Sequence, residues 1–466
     1  MKNYFPSQTV SDSEKLDQKY GLEVARAIEN EWFKKSHGVN RFFQHQGNFH
    51  KLRLYARGEQ SIQKYKDELS INGDLSYLNL DWKPVPIIPK FVDIVVNGIA
   101  ERTYDIKAFS QDPYGVSKRT DYMEAVLADM RTKEFTQQIK NELGFDFGSM
   151  PADKLPDSEE ELQLHMQLSY KQNIEIAEEQ ALASIFELNK YENIRKRLYY
   201  DIIVLGMGAV KNTFTESEGI KLEYVDPANL VYSYTESPYF EDIYYVGEMK
   251  TLNINELKLQ YPNLTNEQLK KIADQGSSTY DMHNKYSQQA HNKDNNSVQV
   301  LYFNYKTFMN EVYKVKETAT GAEKIIKKSD AFMATPIEGE LRFERIAKNI
   351  EVLYEGAYIP GSNMLLEWKL CDNMLREKAD INKVKMNYSI VAPRMYQGKV
   401  ESLVGRVTSF ADMIQLTHLK IQQILSRMVP DGVYVDADGL AEIDLGNGTN
   451  YNPQEALNMF SKLVRL

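Results

Sequence analysis

The sequence predicts an α+β fold in which long helices carry small antiparallel β units. Three observations point there. Between residues 159 and 205, Ile174, Ala177, Ala181, Ile185, Leu188, Ile194, Leu198 and Ile202 recur every three or four positions, the period of one helix face. At Gly206-Met207-Gly208 that period gives way to alternation: Val210, Asn212 and Phe214, then Ile220, Leu222 and Tyr224 across a Glu216–Gly219 turn, which reads as a β-hairpin. Near the C-terminal end helical spacing returns, with Phe410, Met413, Ile414, Thr417, Ile421, Ile424, Leu425 and Met428 on one stripe.

Taken in order, residues 11–72 read as polar helices, with Val24, Ala27, Ile28, Trp32 and Phe33 as the apolar face. Residues 40–57 interleave Arg41, His45, His50, Lys51, Arg53 and Arg57 with phenylalanines. This stretch is either a nucleic-acid contact or a charged helix face that is solvated or meets an acidic neighbour, and charge runs favour the second. Pro84, Pro86 and Pro89 force an extended entry to a helix starting near Lys90, with Phe91, Ile94, Val95 and Ile99 on one side. Tyr104, Ile106 and Ala108 alternate as a strand would. A helix over 118–144 and a loop over 144–158 precede the 159–205 pattern, which is read as one long strut.

After the hairpin, Val225-Asp226-Pro227-Ala228-Asn229-Leu230 turns the chain into a strand pair through Tyr244, Val246 and Met249. Two short helices follow, one carrying Ile254, Leu257 and Leu259, the other opened by a capping box at Thr265–Gln268. Residues 276–297 have almost nothing to bury and read as a loop. Strands are expected from Val298, through Val312–Val315, over an Ala319-Thr320-Gly321 turn to Ile325 and Ile326, and again over 350–360. Met364, Trp368, Cys371 and Leu375 then suggest a helix. Pro430-Asp431-Gly432 breaks the last long helix, and short strands follow. The end, from Pro453 through Ala456, Leu457, Phe460, Leu463 and Val464, reads as a helix whose face needs a packing partner, so the native chain is expected to continue.

Composition narrows function. The 466 residues include 30 tyrosines, which suit half-wet subunit contacts or aromatic-rich strands alike. A formal net charge of −10 disfavours tight gripping of DNA along the whole surface. One cysteine, Cys371, excludes a disulfide framework, and it is expected as a buried thiol. The seven histidines show no zinc spacing, and His418 reads as a surface or interface residue. No apolar run is long enough to span a bilayer. Gly206-Met207-Gly208 fails as a dinucleotide loop, because a helix precedes it, a strand follows, and Lys211 stands where the third glycine belongs. Asp436-Ala437-Asp438-Gly439 lacks calcium-loop spacing and reads as a tight turn. No phosphate loop or nucleophile elbow is present, so no catalytic, metal or cofactor residue is assigned.

The order of these elements is similar to the body of tailed-phage portal proteins. The residues that carry the likeness are Pro89 to Asn97 leading into Glu101–Ile106, a helix running into Asp201–Val210, Val225–Leu230, Glu241–Val246, and Leu252–Leu257 ending at Tyr261-Pro262. Gly398 to Met428 resembles the segment after the portal clip, and the Asn- and Tyr-rich texture resembles portals of crAss-like phages. The resemblance spans roughly residues 85–430. It implies a portal fold of wing, stem, clip and the start of a crown: an N-terminal arm over 1–84, a wing-type body over 85–297, a clip-like region over 298–362, a helical stem or tunnel region over 363–430, and a return to the wing or start of the crown over 431–466. It also implies a dodecameric ring at a unique capsid vertex of the virion, assembled in the host cytoplasm, with no enzymatic activity of its own. Implied partners are double-stranded DNA passing through, the terminase large subunit, the major capsid protein and head–tail connector proteins. The helix 405–428 presents Ser409, Asp412, Gln415, Lys420, Gln422 and Gln423, a nearly neutral face past which DNA would slide; Gln415, Lys420, Gln422 and Gln423 are the candidate channel-lining residues. The competing reading is that this face is solvated or packed. Rival functions are another head–tail adaptor or structural ring protein, and a DNA-processing enzyme with a dispersed acidic metal site.

Overall fold

The structure of the chain, a computed structural model, describes residues 4–36, 39–70, 80–102, 104–110, 112–133, 155–168, 170–217, 219–279, 297–317, 323–330, 332–333, 343–377 and 379–426, with scattered single positions elsewhere. It is α+β, 47% helix and 25% strand, and the strand pairs are antiparallel. The chain forms two compact units. One comprises Met1–Asn97, Leu198–Ala209 and Val225–Leu466; the other comprises Gly98–Arg197 and Val210–Tyr224.

The first unit opens with helices α1 (Asp12–Lys15) and α2 (Gln18–Trp32). A small ladder of β1 (Lys35–Ser36) and β2 (Val39–Asn40) follows, then α3 (Arg41–Arg57) and α4 (Gln63–Leu69). Asn40 caps α3 by accepting from the Phe42 N–H at 2.9 Å, and Gly58, at φ 72°, ends it. Helix α5 (Ile87–Ala100) begins three residues before Lys90, with Pro89 tolerated in its first turn. Its expected apolar side is rotated: Ile88 and Val92 are buried and Val95 and Ile99 half-buried, while Phe91 and Ile94 are 61% and 58% exposed.

In the second unit, α6 (Pro113–Arg131) starts earlier than the expected 118, because Pro113 suits a first helical turn. The 159–205 pattern is not one strut. It is α7 (Glu159–Leu168), α8 (Asn173–Leu188) and α9 (Tyr191–Val204). Lys190, at φ 50°, breaks the last two apart, and Asn189 turns its side chain to the hairpin instead, donating to Ile220 O at 3.0 Å and accepting from Leu222 N at 2.9 Å. The expected strand at Tyr104–Ala108 also fails. Its backbone is used otherwise: Ala108 N donates to Glu179 Oε1 and Ser110 N to Glu175 Oε1, at 3.0 and 2.9 Å. A small core of Val126, Leu155, Leu162 and Met166 holds α6 to α7.

The expected hairpin is present as β3 (Gly208–Thr215) and β4 (Gly219–Val225), with Gly219 at φ 72° in its turn. A 3₁₀ turn, Pro227–Asn229, leads to β5 (Leu230–Tyr232) and β6 (Tyr245–Asn253), which pair as expected. Helices α10 (Ile254–Gln260) and α11 (Asn266–Thr279) follow; Thr265 and Gln268 exchange the two bonds of the capping box. Then come β7 (Ser297–Glu317), β8 (Glu323–Lys328), β9 (Phe343–Ile359) and β10 (Met364–Leu370). The sheet order is β10-β9-β7-β6-β5, with β8 added beside β7. Strands of the 298–362 block therefore share one sheet with β5, β6 and β10.

Residues 364–370 are a strand and not the expected helix. Met364 and Trp368 satisfy a four-residue spacing, but pairing with β9 decides the matter, and a bulge between Leu365 and Glu367 puts Met364 and Trp368 on opposite faces of the strand. Trp368 stacks on Tyr354 at 5.0 Å and donates to Lys15 O at 2.9 Å. Cys371 is buried as expected, just past this strand, and burial raises its thiol pKa. The core of the unit is this sheet covered by α2: Trp32, Tyr245, Tyr305, Tyr354, Tyr358 and Phe303 are all under 2% exposed. For these tyrosines the strand explanation holds. Short strands β11 (Tyr388–Val391), β12 (Met395–Tyr396) and β13 (Lys399–Val400) precede α12 (Leu403–Leu425), capped by Ser402, whose Oγ accepts from Gly405 N at 2.8 Å.

The loop expected over 276–297 is narrower, since 276–279 close α11 and Ser297 opens β7. Residues 280–296, the turn at 319–321, Met428, the break at 430–432, the turn at 436–439 and the C-terminal helix from Pro453 lie outside the described residues.

Candidate functional site

Helix α12 carries the four candidate lining residues, and its surroundings decide what each can face. Gln415 is 1% exposed. Its Oε1 accepts from Val85 N at 2.8 Å and its Nε2 donates to Lys83 O at 3.2 Å. Pro84 and Pro86 leave this entry extended with few backbone partners, and the amide supplies them. Gln415 is thus a clamp on the proline-rich entry, a correction to its place in an open lining. Gln422 lies on the same side, accepting from Asp81 N at 3.2 Å and bonding His418 at 2.8 Å. Gln423 is half-buried and Lys420 is exposed. At about 100° per residue, Lys420 points well away from Gln415. The four residues do not form one surface.

Asp412, also expected on that face, is enclosed by hydroxyls. Tyr55 and Tyr65 donate to it at 2.9 and 2.7 Å, and Lys64 pairs with it. Burial works to raise this carboxyl, but the bonds from Lys64, Tyr65 and Tyr55 outweigh it and hold the pKa below the ordinary carboxylate value. Both tyrosines are raised in turn, by burial first and by the carboxylate second.

The polar side of α12 is therefore its packing side, where Val404, Gln415 and Leu419 are buried. The apolar stripe lies roughly opposite and is open. Phe410, Met413, Ile414, Ile421, Ile424 and Leu425 are between 45% and 62% exposed. A contiguous apolar stripe of this kind is a candidate contact surface. Hydrophobic periodicity found the stripe; which side of the helix the rest of the chain covers has no signal in the sequence.

The basic stretch in α3 has a definite partner. Arg53 grips Asp226 with both guanidinium nitrogens, at 3.0 and 2.6 Å, and reaches Asp201 at 3.6 Å. His45 Nε2 donates to Pro227 O at 2.9 Å, and Gln46 donates to Asn229 Oδ1 at 3.0 Å. Asp226 Oδ1 also accepts from Ala228 N at 2.9 Å, so one carboxylate shapes the turn and anchors it. The Val225–Leu230 motif is explained by this docking. Arg41 pairs with Glu31 at 2.7 Å and lies over Trp32. The acidic-neighbour reading thus holds for Arg41 and Arg53. His45, packed among Trp32, Phe49 and Tyr232, is pushed down by burial to about 4.

No family model matches the chain, and no curated protein matches it either. The joint at Gly206 is mechanical: at φ 85° it ends α9, and a Cβ there would lie 2.6 Å from Glu401 O, so only glycine fits beside the entry to α12. In the second unit a cleft of about 870 Å³ is lined by Tyr104, Phe186, Tyr191 and Arg195. Three of its carboxylates are held in ion pairs, Glu179 with Lys171, Glu192 with Arg195 and Asp105 with Lys107. Among the described residues no three or more His, Cys, Asp or Glu side chains converge as a metal site would, and no helix is long and apolar enough to cross a membrane.

Proposed function

We propose that the chain is a portal subunit of a tailed phage. Copies close into a ring at one capsid vertex, where DNA enters during packaging and leaves on ejection. The terminase large subunit docks there first, and the head–tail connector afterwards. In this reading the protein works by shape, and bond-breaking is left to the packaging motor.

The observation that carries the reading is the reversed amphipathicity of α12. A helix that packs its polar side inward and leaves Phe410, Met413, Ile421 and Ile424 open leaves apolar area for a neighbour to bury. A ring closed by head-to-tail contacts requires two different complementary faces on each subunit. The order of motifs from Pro89 to Met428 supplies the portal expectation, and the exposed apolar stripe of α12, with Phe91 and Ile94 exposed on α5, supports assembly.

Negative-stain microscopy of the purified full chain tests this. Closed rings with a central opening wide enough for duplex DNA are expected. Monomers at all concentrations, or metal-dependent DNA cleavage lost on substitution of a single aspartate, would overturn it.

A further inference from the structure

Beyond the sheet core, β7 continues into a three-stranded tongue with β8 on one side and β9 on the other. The register has no slip: Val312, Lys314 and Lys316 oppose Lys328, Ile326 and Lys324 on β8, and Lys314 opposes Arg345 on β9. Because side chains alternate, Lys314, Lys324, Lys328 and Arg345 share one face. Residues 310, 312, 347 and 349, on the same face, are Asn, Val, Ala and Asn, none of them acidic. Lys324, Lys328 and Arg345 are exposed.

The opposite face is compensated. There Lys327 bonds Glu311 at 2.6 Å, Tyr313 donates to the same carboxylate, and Lys348 stands opposite Glu311 in register. These contacts lower the Glu311 pKa and raise that of Lys327. On the basic face, Lys324, Lys328 and Arg345 form no ion pair with a carboxylate among the described residues. Asp330 is bonded to Asn310 at 2.6 Å, and Arg345 meets its backbone oxygen, at 3.3 Å. Lys314 and Arg345 stand directly opposite each other, an arrangement that destabilises a ladder. A chain of net charge −10 thus keeps like charges together on one strand face, where Lys324, Lys328 and Arg345 are exposed and have no carboxylate partner among the described residues.

We propose that this face contacts the phosphate backbone of double-stranded DNA. This rests on the conduit reading for the choice of polyanion. Same-face positions are about 6.6 Å apart along a strand and strands about 4.8 Å apart, so the cations form a compact cluster that spans a few phosphates. Three of the four are lysines, compact point charges on flexible stems that hold phosphate without reading sequence. Contacts so few give weak, salt-sensitive binding that lets DNA move.

The test is equilibrium binding of the full chain to mixed-sequence duplex DNA across a salt series, with a polyglutamate peptide as a second probe. Lys324→Glu/Lys328→Glu/Arg345→Glu, and the corresponding triple alanine variant, are compared with wild type. Each lost phosphate contact removes about 0.9 from the slope of log K against log salt, so a decrease of about 2 to 3 is expected in both variants, with weaker binding to polyglutamate than to DNA throughout. An unchanged slope overturns the proposal. So does a loss confined to polyglutamate, which would make the face a dock for an acidic protein. Ring formation is scored on the same samples: rings with an unchanged slope refute the DNA face alone, whereas wild-type chain that forms no rings refutes the conduit reading whatever the slope.

Discussion

The sheet core and helix α12 solve the same problem in opposite ways. In the sheet, alternation puts Tyr245, Tyr305, Tyr354 and Phe303 inward, and α2 covers them with Trp32 and Ile28. In α12 the regular apolar stripe faces out, and the residues turned inward are Gln415, Asp412 and Leu419. Apolar periodicity thus reports a face to be buried without saying what buries it. For the sheet the partner is the same chain; for α12, in our reading, it is another copy.

Four measurements put this contrast at risk. The largest effect is expected at Trp32, which is 1% exposed and donates to Tyr232 O and Tyr245 Oη. Trp32→Ala should cost about 3–5 kcal/mol of stability in urea unfolding, from the cavity and the lost bonds. Next comes acid sensitivity at His45. Held down at about 4 by burial, its ring stays neutral in the folded chain, while the unfolded chain takes up a proton below 6.5. Stability should therefore fall as pH drops from 6.5 to 4, by up to about 3 kcal/mol from this group, and His45→Gln should flatten that part of the pH profile.

Gln415→Ala would strip partners from Val85 N–H and Lys83 C=O, and a loss of about 1–3 kcal/mol is expected. An unchanged unfolding curve would show that the polar side of α12 is not its structural side. The smallest change in chain stability, within about 0.5 kcal/mol, is expected for Ile421→Ser/Ile424→Ser, because both residues are already exposed. The same double variant should lose ring assembly in negative stain. If it unfolds the isolated chain instead, the contrast between sheet and helix disappears.

Much of the local structure was legible in the residues. The 208–225 hairpin and the capping box at Thr265 are set by short-range chemistry, and each is found where expected; the Gly206 joint and the Asp226 turn are also in place, held in addition by Glu401 and Arg53 from far along the chain. Failures came where distant partners decide. Alternation at Tyr104–Ala108 gave no strand because Glu175 and Glu179 took its backbone donors. The break at Lys190 has no composition cue, since lysine seldom adopts a positive φ. The candidate lining was the least legible part. Gln415 looked like a surface residue because amides usually are, and its two backbone partners lie more than three hundred positions away in sequence.

Strand β7 runs without interruption from the packed sheet into the charged tongue, pairing β9 from Leu301↔Tyr358 to Lys316↔Phe343. Slipping by a single residue would turn Tyr305 out to water and, on the same strand, swap Lys314 to the other side. The two ends therefore proofread each other. Any misalignment that scrambled the cations would be rejected by the tyrosines nine positions upstream, so a weak, easily shifted ribbon inherits its accuracy from the firmest part of the molecule.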